Sequence, residues 1–249
     1  FAELVEIANK YGFRFSLTTN GILLESYLKI LINSNLKQIN ISLDGLAEYH
    51  DKKRCFSGSF DLAIEAIKKI REQEKNSASS KTININCVID ENNYFCLEEI
   101  AEYFIKNNLP INSLIFQHPY FNSEEFRPKI NFNVLSFQKE KISRLKAKFP
   151  IMIIPNILEK DWPAFYSFDK ADNFFKKDCF LPWLGLNILP NLEVTPGGGV
   201  LGCNFVVGNL RLDNLRNIWN NKVIRNFRNC ILKGMMPEAC RRCCHRQYY

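Results

Sequence analysis

The sequence predicts an α/β protein: part of a parallel β/α barrel whose first strands are missing, followed by a small cysteine-rich domain with a β-hairpin and a helix. Three observations predict this fold class. Strand-like and helix-like segments alternate through the first half of the chain. Each strand-like segment ends in polar residues. Six of the nine cysteines lie at or after Cys179.

Four strand-like segments make up the predicted sheet. Each is a short run of apolar or alternating residues that ends in polar or turn-forming residues: "FRFSLTTNG", "QINISLDG", "TININCVIDENN" and "INSLIFQHP". Amphipathic helical segments separate them, and Ser59 is the predicted N-cap of the longest helix. Four strands cannot close a barrel, and the chain opens on Phe1 inside a helical pattern. We therefore expect that its true N-terminus, with further strands, is missing.

Polar side chains follow the strands at the point where each strand ends. Asn20 follows the first strand-like run, Asp44 the second and Gln117 the fourth. Because the carboxyl ends of parallel strands meet at one edge of a sheet, ligands bind at that edge. A single Asn-Gly or Asp-Gly pair indicates only a turn, whereas the whole set predicts a face that binds a ligand.

The composition is that of a globular protein. The chain has 249 residues, of which 46% are hydrophobic, and a formal net charge of +7. Its basic residues are interleaved with acidic ones, so we do not expect a nucleic-acid partner. No apolar run reaches the roughly 18 residues of a membrane span, and no signal peptide is visible. A cytoplasmic protein without a membrane partner is the prediction.

The cysteines near the end of the chain predict a metal centre. Cys179 precedes a predicted β-hairpin, residues 192–203 with a triple-glycine turn, and Cys203 ends it. Cys240 and Cys243 are separated by two residues, a spacing that lets both sulfurs reach one metal. Four thiolates suit either zinc or a [4Fe–4S] cluster, and the spacing alone does not separate the two.

The linker before the hairpin, the helix after it and the other cysteines are predicted in less detail. Residues 119–178 form an aromatic-rich variable linker, and a helix with Asp213 as its N-cap follows the hairpin. Cys230 and Cys244 are spare, and Cys244 is an alternative ligand to Cys243. The other cysteines are predicted to be structural: Cys55, Cys87 and Cys96.

These motifs together resemble a known family. "TTNG" and "ISLDG" look like the third and fourth strand ends of radical S-adenosylmethionine (SAM) enzymes, and "HDKKRCFSGSFDLAIEAI" is similar to the segment that follows in sulfatase-maturing and peptide-modifying members. The pattern "C…PW…GGGVLGCNF…GNL…L..IWNN…C..C" resembles the C-terminal SPASM or shorter twitch domain. The resemblance implies a partial radical SAM (β/α)6 barrel at 1–118, the linker at 119–178 and a SPASM/twitch-like domain at 179–249.

The resemblance also implies an enzymatic mechanism. In this family a reduced [4Fe–4S] cluster on a CxxxCxxC loop passes an electron from a donor such as flavodoxin or ferredoxin to SAM. A 5′-deoxyadenosyl radical then removes hydrogen from a peptide or small-molecule substrate. The printed sequence contains no CxxxCxxC, so we expect that loop in the missing N-terminal part. The SPASM-like domain is expected to hold an auxiliary [4Fe–4S] cluster on Cys179, Cys203, Cys240 and Cys243.

Two positions match residues that contact SAM in the family, and three more are expected near the cofactor. Ser42 matches a strand-end serine that contacts the cofactor. Arg54 matches an arginine that reaches the methionyl carboxylate, for which a guanidinium fork is suited. Asn20 and Asp44 are expected near the ligand, and Leu114 is expected on the adenine side.

Two other functions remain open from the sequence. A zinc ribbon with four cysteine ligands on an α/β scaffold would bind nucleic acid through its basic tail. A degenerate homologue without the first cluster would act as a non-catalytic scaffold. The substrate, the role of the auxiliary cluster and the oligomeric state are not specified by the sequence.

Overall fold

The computed structural model describes residues 1–75, 80–119, 127–167, 179–197 and 205–235. The chain divides into two compact units, Phe1–Pro119 with Pro128–Ile154, and Tyr120–Arg127 with Pro155–Tyr249. Among the helices of the described ranges, none has both the length and the apolar character needed to cross a bilayer.

The first unit alternates strands and helices in the predicted manner. Its helices are α1 (Ala2–Lys10), α2 (Leu28–Ile32), α3 (Ala47–Arg54), α4 (Ser59–Glu74), α5 (Leu97–Lys106) and α6 (Phe132–Arg144). Its strands are β1 (Phe15–Thr19), β2 (Leu36–Ser42), β3 (Thr82–Val88), β4 (Ser113–Gln117) and β5 (Ile151–Ile154). All five strands are parallel and lie in the order β1-β2-β3-β4-β5. This arrangement confirms the predicted α/β class with a partial barrel.

The fifth strand was not predicted from the sequence. β5 lies inside the stretch that the sequence analysis treats as a linker, and it pairs with β4 from Ile151 to Ile154. Its four residues form a continuous apolar run between Pro150 and Pro155, without the alternation that marks a half-buried strand. Together with α6, β5 therefore extends the first unit beyond residue 118.

The two faces of the sheet differ in chemistry because side chains alternate along each strand. One face is apolar and buried, and it carries Ile39, Ile41, Ile83, Ile85, Leu114 and Phe116. The opposite face carries polar side chains, among them Asn40, Ser42, Asn84, Asn86 and Ser113. The amphipathic α4 and α5 bury Ile64, Ile67, Ile100 and Phe104. The polar face is therefore the side of the sheet available for a ligand.

The start of α4 is capped differently from the prediction. Gly58, with φ +83°, occupies the N-cap position, and Ser59 is the first helical residue. The cap comes from Asp51, whose carboxylate accepts hydrogen bonds from Gly58 N (2.5 Å), Ser59 Oγ (2.8 Å) and Phe60 N (2.9 Å). Ser59 is therefore a donor to the cap rather than the cap itself, and the prediction for it was wrong.

The second unit has a small antiparallel sheet. Its helices are α7 (Trp162–Phe165), α8 (Leu181–Leu184), α9 (Leu215–Asn220) and α10 (Lys222–Leu232), and its strands are β6 (Leu186–Ile188), β7 (Glu193–Pro196) and β8 (Gly208–Asn209). β7 lies between β6 and β8. The predicted strand 192–196 is confirmed as β7. Its described partners are β6 and β8, whereas the predicted returning strand, residues 200–203, lies outside the described residues.

A compact apolar core holds this unit together. Val194 and Val207 pack with Ile218 of α9 and Ile224 of α10. A Cβ at Gly208 would lie 2.8 Å from Cγ1 of Ile218, so only glycine permits this approach. The predicted cap Asp213 is replaced by Asn214, whose side chain accepts from Asn217 N at 3.0 Å.

Candidate functional site

The polar face of the sheet carries a ladder of hydrogen bonds from strand to strand. Ser113 Oγ donates to Asn84 Oδ1 (2.8 Å), and Asn84 Nδ2 donates to Asn40 Oδ1 (3.1 Å). Asn40 Nδ2 in turn donates to Thr18 Oγ1 (3.4 Å), and Gln38 Nε2 also donates to Asn40 Oδ1 (2.7 Å). Because these bonds cross four strands, they fix the orientation of the amides below the candidate site.

Ser42 and Asn86 lie one step further towards the carboxyl edge. They are register partners on β2 and β3, and both are half-buried. The Oδ1 atom of Asn86 is buried and has no hydrogen-bond partner among the residues that the structure describes. A buried acceptor without a partner is costly, so this atom is suited to a donor on a ligand. Asn86 was missed by the sequence reasoning, although asparagines at alternate positions of an apolar strand were a visible signal.

Asp44 is the centre of a charged cluster beyond the end of β2. It is 4% exposed, and its Oδ2 lies 2.6 Å from Arg54 Nε, an ion pair without the alignment of a hydrogen bond. Lys53 Nζ lies 3.2 Å from Oδ1, and the fully buried His50 accepts from Asp44 N at 3.1 Å. Burial opposes ionisation, but the His50 contact and the charges of Lys53 and Arg54 outweigh it and lower the pKa of Asp44 from 3.8 to about 2. Asp44 is therefore a carboxylate at neutral pH.

A second carboxylate joins the loops that follow β2 and β3. Asp90 Oδ2 accepts from Lys53 Nζ (2.5 Å) and from Tyr49 OH (2.7 Å). Burial and the hydrogen bond to Asp90 raise the pKa of Tyr49 well above its usual value. Asn93 Nδ2 donates to the carbonyl of Asp44 (2.9 Å). These contacts hold α3, and with it Arg54, against the edge of the sheet.

Asn20 and Arg54 are both predicted to lie near the ligand, but their surroundings in the structure differ. Asn20 Oδ1 accepts from Ile22 N at 3.2 Å, which is turn chemistry. The next residue, Gly21, has φ +85°, and a Cβ there would lie 2.7 Å from Cβ of Ala63. The Arg54 side chain is 32% exposed at the end of α3. Arg54 is thus a cation at this edge that can meet an anionic ligand, whereas Asn20 shapes the turn.

Leu114 is placed away from the polar face. It is fully buried on the apolar face, level with Ile85 in the β3–β4 register. The neighbouring Ile115 is level with Asn86 and lies on the same face as Ser42. One step along a strand reverses the direction of the side chain, so the Leu114 side chain is on the face opposite to Ser42. That Leu114 lines the adenine side stays a prediction.

One of the four predicted cluster ligands lies in the described ranges. Cys179 is 7% exposed and shortly precedes α8. Cys203, Cys240 and Cys243, as well as the alternative Cys244, lie outside the described residues. Within the described ranges no group of three or more His, Cys, Asp or Glu side chains is arranged to hold a metal ion.

Comparison with known families identifies both parts of the chain. The sequence model of the radical SAM superfamily matches residues 1–104, which contain β1 to β3 and the charged cluster. The model of SPASM, described as an iron–sulfur cluster-binding domain, matches residues 179–244. Residues 1–104 are thus radical SAM sequence, and residues 179–244 are SPASM sequence. The radical SAM match ends in α5, although the structure continues the sheet through β4 and β5.

Individual relatives of this radical SAM chain agree with the family. A probable GTP 3′,8-cyclase of Methanococcus aeolicus is 36% identical over 101 residues, which cover 41% of this chain and 32% of the relative. SuiB of Streptococcus suis has a similar fold, with a TM-score of 0.57, 17% identity and coverage of 92% of this chain and 54% of SuiB.

A second similar structure contains bound ligands. Native anSMEcpe with bound AdoMet and Cp18Cys peptide has a TM-score of 0.53, 18% identity and coverage of 97% of this chain and 67% of anSMEcpe. The chain thus spans about a third of the cyclase and about half of SuiB. At these identities the two solved structures show the fold alone.

Proposed function

We propose that the carboxyl edge of the sheet binds SAM and that the protein is a radical SAM oxidoreductase or maturase. The observation that carries this proposal is the meeting of Ser42, Arg54 and the unpartnered Asn86 Oδ1 at the same edge. Together they offer a hydroxyl, a cation and a buried acceptor, which match the hydroxyl, carboxylate and ammonium groups of SAM.

Each of these residues has a defined role in the proposal. Arg54 binds the methionyl carboxylate, while its Nε stays paired with Asp44. Ser42 donates to or accepts from the ribose or the carboxylate, and Asn86 Oδ1 accepts from a ligand N–H or O–H. Leu114 stays the residue predicted on the adenine side, and Ile115 is the neighbour that shares a face with Ser42. The bound cofactor supplies radical chemistry that removes a hydrogen atom from the substrate, and the protein supplies binding, orientation and exclusion of water.

The auxiliary cluster is proposed to lie in the SPASM domain on Cys179, Cys203, Cys240 and Cys243. The family description and the burial of Cys179 support this assignment. Thiolates are the ligands that iron–sulfur clusters require. An electron donor such as flavodoxin or ferredoxin would reduce the protein.

The proposed substrate is a peptide or another small molecule. A peptide is supported by the bound peptide in the anSMEcpe structure, whose fold is similar. A nucleotide such as GTP is the alternative, because the cyclase relative is 36% identical over 101 residues. Incubation of a reconstituted protein that includes the expected CxxxCxxC loop with each substrate class, followed by measurement of 5′-deoxyadenosine, distinguishes the two.

SAM binding is tested by isothermal titration on anaerobically reconstituted protein. The change Arg54→Met should weaken binding about 10- to 100-fold, because a charge-assisted hydrogen bond is worth roughly 1.5–3 kcal/mol. Arg14→Met is the matched control, since Arg14 is exposed before the amino end of β1. Equal affinity in the wild type and Arg54→Met would refute the proposed site.

Metal content separates this function from a zinc-ribbon binding module. Anaerobic purification should give a brown protein with about four iron atoms per auxiliary cluster, which dithionite bleaches. A colourless protein that holds zinc instead would contradict the proposed cluster and favour the zinc ribbon.

A further inference from the structure

The net charge of the chain is concentrated in its last 45 residues. Residues 205–249 contain nine Lys and Arg but only two acidic residues, Asp213 and Glu238, a difference of +7. The whole chain has 33 basic and 26 acidic residues, also a difference of +7, so residues 1–204 contain 24 of each. Basic and acidic residues are thus balanced up to residue 204 and not beyond it. Such an asymmetry of charge along a chain indicates an anionic partner for the basic part.

Part of this charge forms a line along α10. At 3.6 residues per turn, five polar residues fall within an arc of about 100° on one side of this helix. These five residues, which we call the α10 stripe, are Lys222, Arg225, Asn226, Asn229 and, at the C-cap, Lys233. All five are exposed, whereas Ile224 and Phe227 are buried on the opposite side of the helix. Residues 214–237 contain no Asp or Glu, so neither α9 nor α10 supplies a carboxylate to neutralise the stripe.

The dimensions and chemistry of the stripe suit an extended acidic peptide. Eleven residues separate its ends, which are therefore about 16 Å apart along the helix. About five residues of an extended chain span that distance. The three cations can pair with carboxylates, while Asn226 and Asn229 lie among them and can both donate to and accept from backbone groups of a peptide. Exposed apolar side chains, Val223 and Leu232, flank the stripe and can contact the apolar side chains of such a peptide.

Two other anionic partners fit the stripe less well. A helix that binds a membrane surface inserts its apolar side into the lipid, but on α10 that side is already buried in the protein. The phosphates of a nucleic acid only accept hydrogen bonds, so they would not use the carbonyl oxygens of Asn226 and Asn229. A peptide uses the cations and both ends of each amide.

We propose that the α10 stripe binds an acidic segment of the peptide substrate. This inference rests on the proposed function, which takes the substrate to be a peptide, and it adds the charge of that peptide. Complementary charges speed the encounter of two molecules and select among partners. Because each exposed ion pair contributes little, such a site requires several cations in line, and α10 provides them.

The test is a binding titration followed by fluorescence anisotropy. The probe is a fluorescein-labelled peptide in which Glu and Ser alternate, and the same peptide with Gln in place of Glu is the uncharged control. A triple variant of the reconstituted protein should bind the Glu peptide about tenfold more weakly, because three exposed charge pairs are lost. Its changes are Lys222→Gln, Arg225→Gln and Lys233→Gln.

A matched variant removes the same charge from the first unit. It replaces three exposed lysines, Lys10→Gln, Lys29→Gln and Lys37→Gln. Its affinity for the Glu peptide should change less than about twofold, because distant exposed charges are screened by salt. Equal losses in the two triple variants would show that net charge alone attracts the peptide, and would refute the stripe as a site.

The outcomes separate this inference from the proposed function. Equal affinity of the wild type for the Glu and Gln peptides would refute the inference. Tighter binding of a single-stranded oligonucleotide with the same number of charges would assign the stripe to nucleic acid and overturn it. If SAM binding is intact and only the binding of the Glu peptide fails, the proposed function stands without the stripe. If the Glu peptide binds through the stripe and SAM does not bind, the peptide site stands and the proposed function fails.

Discussion

The ion pair with Asp44 orients the Arg54 side chain before a ligand binds. The ion pair through Nε holds the guanidinium in place while about a third of the side chain stays exposed. The Asp44 carboxylate is itself held by Lys53, and the Asp44 backbone N–H donates to His50. A ligand carboxylate that binds Arg54 therefore meets a side chain whose conformational freedom is already reduced, which lowers the entropy cost of binding.

Asp44 gives the first prediction, a pH dependence of stability. Its folded pKa of about 2 is below the ordinary 3.8, so the carboxylate contributes roughly 2 kcal/mol to folding at neutral pH. The contribution is complete above about pH 4 and is lost as the pH falls to about 2. Urea unfolding from about pH 5 to 2 measures it. Asp44→Asn should be less stable at the upper end of this range and should lack this part of the acid dependence; an unchanged pH profile would contradict the prediction.

At the residue scale the sequence predicted Ser42 and Arg54 through their resemblance to family motifs, and the structure places both at the carboxyl edge. Leu114 and Ile115 are both apolar and adjacent, so the sequence could not decide which of them shares a face with Ser42. Only the strand register shows that it is Ile115. The role of the cysteines that lie outside the described residues, Cys203, Cys240 and Cys243, stays a prediction.

At the element scale α4 depends on a cap that lies outside it. Asp51 on α3 accepts three hydrogen bonds from the first turn of α4 and the residue before it. These bonds lower the pKa of the Asp51 carboxyl, chiefly through the backbone N–H of Phe60. The cap therefore connects α3, which ends in Arg54, to a helix packed on the sheet.

The second prediction concerns this cap. Asp51→Ala should destabilise the first unit by about 2 kcal/mol, because capping side chains contribute about 0.5–2 kcal/mol and this one bonds three donors. Asp61→Ala is the control, since Asp61 is an exposed acidic residue in the first turn of the same helix. Chemical denaturation followed by circular dichroism compares the two. Equal losses would mean that helix-dipole charge, not the cap, dominates.

The third prediction concerns the approach of β8 to α9. Gly208→Ala should destabilise the second unit by about 1–3 kcal/mol, because the added Cβ overlaps Ile218. The double variant with Ile218→Ala should lose less stability than the sum of the two single changes, since the shortened side chain makes room. Additive losses in thermal melts would show that the contact with Ile218 is not the cause.

In the first unit the sequence predicted four strands, because each alternates or is bounded by turn residues. β5 does not alternate, and β6 is only three residues long. Strand β8 has only two residues and is defined by its pairing with β7. Such short strands depend on tertiary contacts rather than local propensity, which explains why a pattern of residues did not reveal them.

At the scale of the whole molecule the two units differ in the size of their apolar cores. The first has buried residues on all of β2, β3 and β4 and on α4 and α5. Among its described residues the second has a core cluster of Val194, Val207, Ile218 and Ile224, with partly buried neighbours, and it also buries Trp162, Phe165 and Leu181. Small domains commonly need a metal or another cross-link for stability, so the cluster is expected to matter far more to the second unit.

The fourth prediction follows from this difference. Removal of iron with a chelator should speed hydrogen exchange in β7 and α10 by at least about tenfold, because metal binding energy is folding energy in a metal-dependent domain. Exchange in β2 and β3 should change less than about twofold, and these strands are the internal control. Hydrogen–deuterium exchange with mass spectrometry of the iron-loaded and iron-free protein measures both. An equal change in all four elements would contradict the prediction.

All the strand-to-strand hydrogen bonds of the ladder on the polar face have the same donor-to-acceptor direction. Ser113 donates to Asn84, Asn84 to Asn40, and Asn40 to Thr18, so every link points from β4 towards β1. The Thr18 hydroxyl at one end keeps its own hydrogen to give, and the Ser113 oxygen at the other end keeps a lone pair to receive. A ligand lying across these strands would therefore bind in one orientation, with an acceptor facing the Thr18 hydroxyl and a donor facing the Ser113 oxygen. The reversed orientation would place donor against donor at Thr18 and acceptor against acceptor at Ser113.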